Sequence, residues 1–247
     1  LDRATALLDD HLTEDYRRSH GLPTLGTAYS HLHRPQLEEH IDSARRRLIL
    51  DELLMLQLGV MMKRFHRRTH LRAVPLPLTT EVAERIAARI PFSPTEAQQR
   101  VMAEIGLDLS ESIPMNRLLQ GDVGSGKTIV ALAAMLQAVA HGKQAAMIAP
   151  TELLAEQHER TLSRFLQNAP LRMGLLTGSL AAAARRELVE AISEGDIDIV
   201  VGTHAVLTED VIFRDLAVAV TDEQHRFGVR QRASLRDKAA DVTRSPH

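Results

Sequence analysis

Beyond residue 116, short apolar runs alternate with longer stretches in which apolar residues return at helical spacing. The runs 144–149, 172–176, 197–201 and 217–220, with 117–120 before them, have the length and aliphatic content of buried strands. Residues 127–140, 152–166 and 181–193 fill the gaps with helical periodicity. This alternation predicts an α/β fold, a parallel sheet flanked by helices on both faces.

The first 79 residues differ. Leu37, Ile41, Ala44 and Leu48 recur at helical spacing, and an apolar stretch through Met62 prolongs the same helix. Arg45, Arg46, Arg47, Lys63, Arg64, Arg67 and Arg68 punctuate it. Such runs are most often a solvated helix face, and the sharper alternative is a basic surface for DNA phosphates. Pro75, Pro77 and the pair Thr79-Thr80 mark a break, with Thr80 expected to cap a helix running through Ile90. Two regions follow: an α-helical region over 1–79 and an α/β domain over 80–247.

Composition narrows the chemistry more than it names it. The 247 residues are 44% hydrophobic and 25% charged, the balance of a globular chain. A formal charge of -2 shows no global basic bias toward nucleic acid or an anionic membrane. With no cysteine, disulfides, thiolate metal sites and cysteine nucleophiles are excluded. His66 and His70 stand four apart, but no third metal ligand accompanies them. The strongest apolar run, from Leu53 to Met62, falls short of the ~20 residues a bilayer span needs. No signal-peptide core follows Leu1, so a cytoplasmic protein without a membrane segment is expected.

Two motifs carry chemistry. Gly121-Asp122-Val123-Gly124-Ser125-Gly126-Lys127-Thr128 fits G-x-x-x-x-G-K-[ST] between a predicted strand and a predicted helix. Its glycines let backbone N–H groups turn toward phosphate oxygens, and the helix dipole favours the same anion. Lys127 would reach the β- and γ-phosphates of ATP, and the Thr128 hydroxyl would ligate Mg²⁺. Downstream, an apolar strand delivers Asp222 and Glu223 at its C-terminal end, where open parallel sheets bind ligands. Asp222 is assigned to Mg²⁺ and Glu223 to orienting the attacking water, with Gln224 and His225 next in the catalytic set.

Asp222-Glu223-Gln224-His225 resembles the second motif of superfamily 2 helicases and translocases. With Arg226-Phe227-Gly228-Val229 after it, and 114–120 leading into the phosphate loop, the pattern closely resembles the RecG family of bacterial ATP-dependent DNA helicases. Transcription-repair coupling factors, with a similar motor, are the nearest rival; Ser125 and Gln224 favour the first. Phe92-Ser93-Pro94-Thr95-Glu96-Ala97-Gln98 is similar to the motif upstream of the phosphate loop, where Gln98 would read the adenine edge beside Phe92. Pro150 and Thr151 resemble a DNA-contacting motif at a strand end. Thr177-Gly178-Ser179 and Gly202-Thr203-His204 resemble two more, suited to holding phosphates without reading sequence.

The resemblance implies a RecA-like ATP-binding domain after a helical linker, acting on branched or duplex DNA with ATP and Mg²⁺, as a monomer. Scarce aromatics (3%, Trp 0) fit a duplex-backbone contact better than base stacking. The implied activity is ATP-driven remodelling of branched DNA and stalled forks in recombination and repair. The alternative is a nucleotide-binding module without activity of its own. The chain stops at His247 where the family continues, so the second motor domain and the wedge before the linker are expected to be missing, and turnover slow.

Overall fold

A computed structural model describes residues 5, 7–90, 92–167, 169–228, 238 and 245–247. Val229 of the extended second motif lies outside the described residues, and the His225 side chain does too. The chain divides into two compact units, Leu1–His66 and Arg67–His247.

The first unit is helical. α1 (Glu14–Ser19), α2 (Leu25–His33) and the start of α3 (Glu38–His70) surround an ionic centre. Arg47 is fully buried, where the charge pattern predicted a solvated or phosphate-facing arginine. Its guanidinium donates to Asp10 at 2.6 Å and to Asp51, while Arg17 reaches the other Asp10 oxygen at 3.1 Å. The backbone N–H groups of Leu25 and Leu12 also bind Asp10. A buried guanidinium persists because both partners are anionic and hydrogen-bonded.

Further along α3, Leu53, Leu56, Val60, Met62 and Phe65 are exposed. No helix among the described residues is long and apolar enough to cross a membrane.

The second unit is built on α4 (Thr80–Ala87), α5 (Glu96–Leu109), α6 (Lys127–Ala140), β1 (Gln144–Ile148), α7 (Glu152–Phe165), β2 (Met173–Leu176), α8 (Ala182–Glu194), β3 (Ile199–Gly202) and β4 (Leu216–Thr221). The strands form one parallel sheet in the order β2-β3-β1-β4. Alternate strand residues divide between two cores. Ala145, Met147, Ile199 and Val201 face α6 and α7, whereas Ala146, Ile148 and Val200 join Ile192 of α8 and Phe213. Burial on both faces explains why these strands read as continuous apolar runs. α6 is the most deeply set helix, with Leu132, Met135 and Ala138 wholly inaccessible.

Two expectations change. Residues 117–120 form no strand: Arg117 is drawn to Glu104 and Asp108 on α5, and Leu118 is exposed. On β4, Ala217 O and Ala219 N hydrogen-bond instead to the backbone of His247, at 2.7 and 2.9 Å. Thr79, not Thr80, caps α4, its hydroxyl accepting from Val82 N at 3.3 Å, and the helix ends at Ala87. The unit boundary falls at His66/Arg67 because the stretch around Leu76 packs into the second core. Leu76 is buried, Leu76 N bonds Leu109 O at 2.8 Å, and the buried Gln137 amide donates to Leu76 O at 2.6 Å.

Candidate functional site

The phosphate loop opens α6 through left-handed backbone. Gly124 and Gly126 have φ of 82° and 80°, a conformation that glycine adopts without steric cost. Lys127 curls back so that its ammonium donates to Gly121 O at 2.8 Å and Asp122 O at 2.9 Å, which sets the cation over the loop. Thr128 follows in the first turn of α6, half-buried.

α5 secures the loop from behind. Thr95 and Gln98 form a reciprocal capping box, Gln98 Oε1 accepting from Thr95 N at 2.9 Å. Gln98 Nε2 donates to Ser125 O at 2.9 Å, so one amide joins the helix start to the phosphate loop. A Cβ on Gly126 would lie 2.4 Å from that nitrogen. Phe92 is half exposed and meets Phe165 edge-on, ring centroids 6.1 Å apart.

The four strands are parallel, so their C-terminal ends and the loops they deliver share one edge of the sheet. β4 delivers Asp222, whose Oδ1 accepts from Glu223 N at 3.0 Å and whose Oδ2 meets His158 Nε2 at 2.8 Å. Glu223 has φ 51°, a left-handed conformation uncommon outside glycine that costs about 1–3 kcal/mol and persists where its surroundings impose it. Gln224 is exposed in the short 3₁₀ turn that follows, Gln224–Arg226.

The three other strand ends differ in what they expose. After β1, Pro150 is half-buried and Thr151 exposed; the Thr151 hydroxyl caps α7, accepting from Leu154 N at 3.3 Å. After β2, Thr177 is buried with its hydroxyl 3.2 Å from that of Ser179, while Gly178 and Ser179 are exposed. At the end of β3, Gly202 and the following Thr203 are buried, and of the three motif residues only His204 reaches the surface. Among the described residues the Thr203 hydroxyl finds no partner, and a Cβ on Gly202 would stand 2.2 Å from Leu176 O. Gly202 and Thr203 thus shape their loop from inside.

Two residues of this edge went unassigned in the sequence. Glu152 Oε1 accepts from Ser179 N at 3.0 Å, tying the start of α7 to the loop after β2. The Ser179 hydroxyl, then the Ser179 and Gly178 N–H groups, hold the Glu152 carboxyl below its ordinary value. His158, on the second turn of α7, touches Asp222. Among the described residues no group of three or more His, Asp or Glu could hold a metal ion.

The profile of the DEAD/DEAH box helicase family matches residues 95–246. The chain is 45% identical to the ATP-dependent DNA helicase RecG of Synechocystis sp., over 94% of this chain and 28% of that protein. It is 44% identical to RecG of Escherichia coli, over 100% of this chain and 37% of that protein. Identity to RecG of Bacillus subtilis is 43%, over 95% of this chain. A solved structure of RecG bound to a three-way DNA junction superposes with a TM-score of 0.79 at 38% identity, covering 91% of this chain and 31% of that one. The chain spans about a third of the length of the curated relatives it matches.

Proposed function

Because the chain belongs to the DEAD/DEAH box helicase family, we propose that residues 80–247 form the first RecA-like ATP-binding domain of a RecG-type DNA helicase or translocase, with 1–79 as its helical linker. In this reading ATP hydrolysis drives remodelling of branched DNA at stalled forks, by a monomer working in the cytoplasm. One observation carries it: a glycine-turned phosphate loop opens α6, while β4 delivers Asp222 and Glu223 to the edge where the other strand-end loops emerge. The neighbour solved on a three-way junction supports branched DNA as the partner.

Lys127, held over the loop, is the group for the β- and γ-phosphates. Thr128 and Asp222 are the Mg²⁺ pair. Their donor set fits, since this ion takes hard oxygens and binds through one or two carboxylates plus phosphates and water. Bound there, the ion would neutralise charge on the phosphoryl oxygens. Glu223 orients and deprotonates the attacking water, and Gln224 and His225 complete the proposed catalytic set. Gln98 keeps a second N–H and a second lone pair for an adenine edge, and the half-exposed Phe92 ring is assigned to the same base. Thr151, Gly178 and His204, exposed at the strand ends, are the groups assigned to DNA phosphates, with Pro150 fixing the backbone ahead of Thr151, while buried Thr177, Gly202 and Thr203 are assigned to holding their loops in shape.

The test is nucleotide binding and turnover by the purified chain, with and without forked DNA. K127A should abolish binding of a fluorescent ATP analogue. E223Q should bind it yet lose about 100-fold or more of a slow turnover. Undiminished binding by K127A would overturn the reading.

A further inference from the structure

We propose that His158 is a positioning residue for Asp222, fixing the carboxylate for the metal-bound nucleotide; this rests on the reading of Asp222 given above. The His158 Nε2–H donates to Asp222 Oδ2 at 2.8 Å, and Glu223 N donates to Oδ1 at 3.0 Å. Each carboxylate oxygen therefore has one lone pair committed and its plane held from two sides. The His158 side chain is only 13% exposed and that of Asp222 30%. A charge-assisted bond so shielded from water is stronger than the same contact on an open surface.

The position of His158 is itself held. α7 starts from the Thr151 cap and from the Glu152–Ser179 contact, and His158 lies two turns further along that rigid helix. A donor carried on an anchored element is pre-organised, as groups that orient metal-holding carboxylates are.

The discriminating quantity is the ratio of dissociation constants for a fluorescent ADP analogue without and with Mg²⁺, measured on the full chain. Loss of the His158 donor in H158A should lower this ratio about 10-fold, and H158Q, which returns an N–H at similar reach, should stay within about threefold of wild type. A purely structural role would weaken both constants together and leave the ratio in place. Should H158A not fold, H158N, whose amide is too short to reach Asp222, takes its place. A wild-type ratio in H158A, or a ratio in H158Q as low as in H158A, overturns the proposal. D222N separates the two ideas. If it lowers the ratio while H158A does not, only the role of His158 fails; if D222N too leaves the ratio intact, the reading of Asp222 falls and this proposal with it.

Discussion

Gly202 ends β3 in register with both Leu176 and Ile148, so it is hemmed in by a strand on either side. Any side chain there begins with a Cβ 2.2 Å from Leu176 O and 2.6 Å from a Val206 methyl. A strand carbonyl cannot move aside as the end of a flexible side chain can. Gly202→Ala should therefore destabilise the second unit by about 1–3 kcal/mol, the usual cost of overpacking a close-packed core. Urea unfolding measures this, and a midpoint equal to wild type would show that the sheet yields at this point. Any loss of DNA affinity in that variant would follow from the displaced Thr203-His204 turn, since Gly202 itself is buried.

Helix starts in this chain rest on signals that are local in sequence. Thr13, Thr24, Thr79, Thr95 and Thr151 each open a helix, their hydroxyls accepting the backbone N–H three residues on. A signal of that range is complete within one turn, as is the phosphate loop; the loop was legible, whereas the one cap assigned from sequence, Thr80, missed Thr79 by a residue. Non-local relations were not legible. Residues 117–120 have a strand's composition, but pairing depends on which segment lies against β4, and there the backbone of His247 bonds to it. Glu152 and His158 meet partners 27 and 64 residues away, with no spacing to announce them. The apolar stretch of α3 was legible as a helix, yet its exposure was not, because period reports the turn and not the neighbour. Thr151 tests the element scale directly. Thr151→Ala should cost about 1 kcal/mol by removing the cap of α7, and Thr151→Ser should restore most of it. The same pair compared in a forked-DNA binding assay tells whether the hydroxyl takes part at all: affinity lost in Thr151→Ala and regained in Thr151→Ser follows the hydroxyl, and affinity unchanged in both excludes it.

At the scale of the whole second unit, three stretches remote in sequence close on His247. Its backbone extends the hydrogen bonding of β4, its Nδ1 accepts from Met115 N at 3.2 Å, and its Nε2–H donates to Val74 O at 3.0 Å. The ring is thereby held in the neutral Nε2–H tautomer, because protonating Nδ1 would remove the acceptor that Met115 uses. Burial lowers the pKa of His247 from its ordinary 6.5, only partly opposed by the Val74 carbonyl and by Asp108. The sign follows from linkage. When the folded pKa lies below the unfolded one, the unfolded chain binds the proton more readily, so folding is favoured fully above 6.5 and progressively less as pH falls past it. Lowering the pH from about 7.5 to about 5.5 should therefore destabilise the wild type more than H247Q, by no more than about 1.4 kcal/mol per pH unit for the one proton. Comparing the two proteins cancels the titration of every other group they share. Parallel stability curves would mean that the ring at position 247 is accessible to protons in the folded chain, and that the closure of Val74, Met115 and β4 on it does not depend on its neutral form.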